Sequence, residues 1–169
     1  MAEAFNDLAL PAEKAARYAT VAEEIASVLD GEPNLTARMA TIASMLASSF
    51  KHYFWTGFYV VDPDKPRELV VGPYQGTLGC LRIAFGRGVC GAAAETGKTQ
   101  LVADVHAFPG HIACDGRSAS EVVVPVFGPD GELIAVFDVD ATEPAAFDET
   151  DAAWLETILS AAFGRSTNP

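Results

Sequence analysis

A chain of 169 residues, half of them hydrophobic, is the size of one domain and can fill a core without disulfide or metal staples. Its 23 acidic against 11 basic residues leave a net charge of −12, which repels phosphate backbones and anionic headgroups; no basic cluster reverses this locally, so nucleic acid is not an expected partner. The apolar stretches are strand-length, short of the roughly 20 residues of a membrane span, and the N-terminus lacks the basic and apolar regions of a signal peptide, so the expectation is a cytoplasmic protein with no membrane part.

Residues 1–10 read as a loose lead-in to a single domain over 1–169. The spacing of Tyr18, Val21, Ile25 and Val28 predicts a helix over Pro11–Leu29, with Pro11 in its first turn and Gly31 at its stop. A second helix is expected over Leu35–Ser48, capped by Asn34, with Leu35, Met39, Ile42 and Leu46 as its apolar stripe. Aromatic and β-branched residues then dominate Tyr53–Val61, a strand that puts Trp55, Gly57 and Tyr59 on one face. A turn at Asp62–Pro66 and strands at Leu69–Val71 and Leu81–Phe85 follow. A short small-residue helix over Val89–Thr96 closes on Gly97, and another strand lies near Thr99–Ala103. Val105–Ser120 reads as irregular. Strands at Glu121–Phe127 and Glu132–Asp140 flank Gly128–Gly131 as a hairpin. Asp148 caps a last helix that turns Leu155, Ile158, Leu159 and Ala162 inward. Strands in the middle with helices at both ends give an α+β domain.

Three cysteines cannot all pair within one chain, and in a reducing compartment they point to packing, metal binding or redox work. Cys80, Cys90 and Cys114 are 10 and 24 residues apart, not the spacing of a closed zinc site. Cys90, in the first turn of the small-residue helix, is either buried filler or a thiol activated by the helix N-terminus. Cys114 sits in the long irregular stretch, where function concentrates. A free thiol has a pKa of about 8.5 and is only slightly ionised at neutral pH; His106 and His111 in the same loop would raise that fraction. The same two histidines with Cys114 would make metal ligands, but no fourth ligand stands at a recognisable spacing.

Carboxylates form a second group. Alternation puts Ile134, Val136, Asp138 and Asp140 on one strand face, and Glu121 opens the neighbouring strand of the hairpin. Three carboxylates there would bind an ammonium group and raise one another's pKa, so that one stays protonated as a general acid; the alternative is a solvated strand end. Trp55 and Tyr59 are either core or the wall of a pocket for methyl groups and cations.

Read together, FWTGFYV (Phe54–Val60), GPYQGTLGCLRIAFGRGVCG (Gly72–Gly91), DVHAFPGHIACD (Asp104–Asp115), SEVVVPV (Ser120–Val126) and FDVD (Phe137–Asp140) resemble the free methionine-(R)-sulfoxide reductases, a family built on a GAF domain. All three cysteines fall at that family's spacing. The resemblance implies a central antiparallel sheet of about six strands, with the N-terminal and C-terminal helices packed together on one face. It implies thiol-dependent reduction of free methionine-(R)-sulfoxide, no bound cofactor or metal, thioredoxin as external reductant, and a homodimer. By the same resemblance Cys114 attacks, Cys80 resolves and Cys90 is a further redox or supporting thiol, while Trp55, Tyr59, Glu121, Asp138 and Asp140 bind substrate. Where the family commonly reads Ser-Asn-Ser-Glu, this chain has Ser118-Ala119-Ser120-Glu121, which removes one side-chain amide from the loop. The competing reading is a GAF module that senses a small ligand or redox state without turnover.

Overall fold

The computed structural model describes residue 5 and residues 8–112 and 114–164. Most of the expected lead-in, residues 1–4 and 6–7, lies outside the described residues. The first helix, α1 (Lys14–Val28), begins after Pro11 rather than at it. Its cap is Glu13, whose carboxylate accepts from the backbone N–H groups of Ala15 and Ala16 at 3.0 and 2.7 Å, so the start is set by a side chain and not by the proline. In α2 (Leu35–Ser49) Asn34 caps as expected, accepting from Ala37 N–H at 3.0 Å.

Strand β1 (Trp55–Asp62) leaves Tyr53 outside, stacked on Phe50 with ring centres 4.9 Å apart in the helical core. Strand β2 (Lys65–Gln75) is far longer than the expected Leu69–Val71, and the turn before it shrinks to Pro63–Asp64. Its glycine and prolines argue against a strand, but an antiparallel ladder from Asp62–Lys65 to Thr56–Gln75 holds them extended. Then come β3 (Arg82–Ala84), α3 (Gly88–Thr96) and β4 (Gln100–Val102). A 3-10 turn at Val105–Ala107 breaks the stretch expected to be irregular throughout. The hairpin of β5 (Ser120–Phe127) and β6 (Leu133–Ala141) leads to α4 (Glu149–Phe163), capped by Asp148. On α4 Ala162 is only half-buried, and Phe163 takes the inward place beside Leu155, Ile158 and Leu159.

The six strands form one antiparallel sheet in the order β3-β2-β1-β6-β5-β4. On one face α2 covers β1 and β2, α4 covers β5, and α1 packs over both helices. Tyr18, Leu46, Phe58, Val122, Phe137 and Leu155 fill this layer, with Phe58 and Phe137 4.8 Å apart between ring centres. Each such fully buried side chain contributes roughly 1.5–3 kcal/mol. Asp151 on α4, fully buried, ties down α1 by accepting from Lys14 Nζ and from the Tyr18 hydroxyl, each at 2.7 Å. The opposite face carries α3 and the loops around it, over Trp55, Tyr59, Val123 and Val136. Because both faces of the central strands are covered, β1, β5 and β6 are apolar nearly throughout. The polar residues on the second face therefore stand out. No helix among the described residues is long and apolar enough to cross a membrane.

Candidate active site

Three neighbouring strands build the floor of a cleft on the second face. The register pairs Glu121 with Asp140, Trp55 with Asp140 and Gly57 with Asp138, so the three carboxylates expected from alternation meet at one end of the sheet. Gly57 keeps the floor open. A Cβ there would come within 2.2 Å of Tyr74 Cβ, and Tyr74 stacks on Trp55 with ring centres 5.0 Å apart. Trp55 in turn stacks on Tyr59 at 5.4 Å, making an aromatic wall.

Helix α3 forms the opposite wall and lowers Cys90 onto the carboxylates. Its thiol donates to Asp138 Oδ2 at 3.3 Å and lies 4.0 Å from Glu121 Oε1. All three residues are buried. Burial pushes the Cys90 thiol far up, and the charges of Asp138 and Glu121 add to it, so the thiol form is held. That is opposite to activation by the helix N-terminus and matches the packing alternative. Burial likewise raises Glu121, with Asp138 and then Asp140 reinforcing it, and raises half-buried Asp140, with Asp138 reinforcing it. Asp138 is raised by burial too, opposed by the hydrogen bonds from Cys90 and Glu121. The site thus favours protonated carboxyls above the ordinary carboxylate range, and Asp138 is the member best supported as an anion. Its Oδ1 is buried without a hydrogen-bond partner among the described residues. Cys90 Sγ and one oxygen each from Glu121 and Asp138 lie within 4.8 Å of one another, close enough to hold a metal ion.

Cys80 and Cys114 close the mouth. They are joined by a disulfide with their Cα atoms 5.4 Å apart; Cys114 is exposed and Cys80 half-buried. A short chain of hydrogen bonds holds their loops together. Trp55 Nε1 donates to Thr77 O at 3.0 Å, and the Thr77 hydroxyl donates to Asp115 Oδ2 at 2.8 Å. Arg117 binds the same carboxylate through two nitrogens, at 3.0 and 2.7 Å, and lies over the Phe54 ring. Those bonds hold the Asp115 carboxyl well below its usual range.

The cleft has about 520 Å³ of atom-free space counted to its open mouth. Seven of the eight residues assigned to the site from the sequence line it; the eighth, Cys80, is joined to the lining residue Cys114 by the disulfide. His111 lines it as well, but burial and then His106 lower its pKa, so it opposes the cationic form that would have activated Cys114. The trio of His106, His111 and Cys114 does not form a ligand cluster among the described residues. Arg87, Gly79 and buried Ser118 also line the cleft and were not singled out. Ser118 was visible only as part of the Ser118–Glu121 string, and Arg87 only as the residue before α3. At Gly79 a Cβ would come within 2.9 Å of the Tyr59 hydroxyl and 3.0 Å of the Trp55 ring. Gly79→Ala is expected to displace one ring and weaken ligand binding in the cleft by about ten-fold, or 1.4 kcal/mol; isothermal titration reads the loss.

A family model for the GAF domain matches residues 32–162. "GAF domain-containing protein A" of Dictyostelium discoideum is 44% identical over 86% of this chain and 90% of its own. The free methionine-R-sulfoxide reductase of Saccharomyces cerevisiae is 41% identical over 76% of this chain and 74% of its own. The crystal structure of the free methionine-R-sulfoxide reductase of Neisseria meningitidis, in complex with its substrate, superposes with a TM-score of 0.86 at 46% identity, covering 92% of each chain. The single domain, its six-stranded antiparallel sheet and these relatives agree: this chain belongs to the GAF-domain family, among the relatives of the free methionine-R-sulfoxide reductases.

Proposed function

We propose that this chain reduces free L-methionine-(R)-S-oxide to L-methionine, with Cys114 as the attacking thiol. One observation carries the reading: a cysteine pair at the mouth of a cleft stands over an aromatic wall and three clustered carboxyls, buried Glu121 held in its acid form beside buried Asp138 and half-buried Asp140. The reductases among its relatives support it. Asp138 and Asp140 hold the substrate ammonium, and Trp55 and Tyr59 hold the methyl group. The Cys114 thiolate attacks the sulfoxide sulfur while Glu121 gives its proton to the oxygen. Methionine leaves, and Cys114 becomes a sulfenic acid. The Cys80 thiol condenses with it, releasing water and forming the disulfide; a dithiol reductant of thioredoxin type then reopens it. Cys90 stays a protonated supporting thiol. The reaction uses no bound cofactor or metal. The protein works in the reducing cytoplasm against oxidative stress, as a homodimer, which sedimentation reads.

The test is turnover with dithiothreitol, resolved by epimer. Free R-sulfoxide is expected to be consumed, with the S epimer and peptide-bound sulfoxide untouched. Tight binding of the R epimer under reducing conditions without turnover would give the answer to a sensor module instead.

A further inference from the structure

We propose that Cys90, Glu121 and Asp138 form a binding site for a thiophilic divalent cation, Zn2+ above others, which enters through the cleft and excludes the substrate from it. Three donor atoms from three side chains stand close enough to share one ion and leave a fourth position open. Bonds of about 2.3 Å to sulfur and about 2.1 Å to oxygen at a tetrahedral angle put sulfur and oxygen roughly 3.6 Å apart. Here Cys90 Sγ stands 3.3 Å from Asp138 Oδ2 and 4.0 Å from Glu121 Oε1, on either side of that value. All the donor atoms fall within 4.8 Å of one another. A second observation points to a missing partner. Asp138, 5% exposed, keeps Oδ1 without a hydrogen-bond partner among the described residues, beside the same cleft.

The chemistry selects the ion. A thiolate favours zinc, cobalt or copper over magnesium and calcium, which ask for six or more oxygens. Binding displaces the Cys90 thiol proton and the Glu121 carboxyl proton into solvent. Two positive charges then face one thiolate and two carboxylates, a better balance than three anions alone. The open fourth position faces the cleft, where it takes water. Exclusion of the substrate rests on the ammonium placement proposed above; cation binding itself does not. Cys90 is the free cysteine, so the site is complete while Cys80 and Cys114 remain oxidised.

The experiment is titration of Co2+ into the oxidised full-length protein, with the disulfide verified by counting one free thiol per chain. The expected result is one Co2+ per chain, with tetrahedral d–d absorption and a thiolate-to-cobalt charge-transfer band, both bleached by Zn2+. Cys90→Ser is expected to lose the charge-transfer band, and Cys114→Ser to keep it. Asp138→Asn, which preserves volume, is expected to weaken binding at least ten-fold. Absence of the band in the oxidised wild type, its survival in Cys90→Ser, or unchanged affinity in Asp138→Asn each overturns the site. None of these readouts involves turnover, so a failure of the reductase reading is seen separately in the epimer assay.

Discussion

Cys114→Ser is expected to reduce turnover of free methionine-(R)-sulfoxide by at least about a thousand-fold, because the alcohol supplies no thiolate and cannot carry the oxygen away as a sulfenic acid. The substitution is nearly isosteric at an exposed position, so the reduced protein should melt as the reduced wild type does. The oxidised proteins should differ. The disulfide spans a sequence separation of 34 residues, and closing a loop of that size is worth about 3–4 kcal/mol through the unfolded chain. Loss of activity together with a melting difference seen only without reductant separates a chemical role from a structural one. With thioredoxin as the only reductant, Cys80→Ala supplies the contrast: it should release one methionine per chain in a burst and then turn over far more slowly than the wild type, and dithiothreitol, which reduces a sulfenic acid directly, should restore turnover. Full activity in Cys114→Ser would remove that residue from the chemistry.

Glu121→Gln is expected to lower kcat/KM by about 10²–10⁴, the usual weight of a positioned general acid. The larger share should appear in kcat, since the amide can still donate a hydrogen bond to the sulfoxide oxygen but cannot give it a proton; reaction of Cys114 with a neutral disulfide reagent should stay unchanged. In the wild type kcat should decline with rising pH as the acid form of Glu121 is lost. Stability moves the other way in the variant. The folded-state pKa of Glu121 is raised above its unfolded value. Its contribution is therefore complete below the ordinary carboxylate range and is lost as pH rises through the folded pKa. Glutamine does not ionise, so the variant should match the wild type near pH 4 and melt higher near pH 8, by about 2–4 °C for each kcal/mol recovered. A less active, more stable variant marks a residue whose strain serves catalysis. Unchanged KM and kcat would take Glu121 out of the pocket.

The carboxylate floor was legible because strands have an invariant period. Once Gly128–Gly131 reads as a hairpin, Glu121 must face the end of β6, and alternation sends Asp138 and Asp140 to the same side. The aromatic wall followed from the same rule on β1. Cys90 was not legible in this way. Whether a thiol in a first helical turn is activated or silenced depends on what the helix is lowered onto, and here that is Asp138, 48 residues away. The start of α1 at Glu13 instead of Pro11 and the full length of β2 were hidden for a related reason: local propensity gave way to a cap in one case and to a ladder with β1 in the other. Arg87 and Ser118 reach the cleft only because α3 and the strand end converge there.

The Trp55–Thr77–Asp115 strut has a consequence for the timing of the proposed cycle. Those two hydrogen bonds tie the Cys80 loop to the residue after Cys114 without using the disulfide, so opening it removes neither donor nor acceptor. The resolving sulfur is thus kept at high effective concentration beside its target instead of exploring solvent. A sulfenic acid that waits can be oxidised further to the sulfinic form, which no dithiol reverses. Within the proposed cycle, mooring the loops shortens that wait, so the strut guards the attacking cysteine against overoxidation.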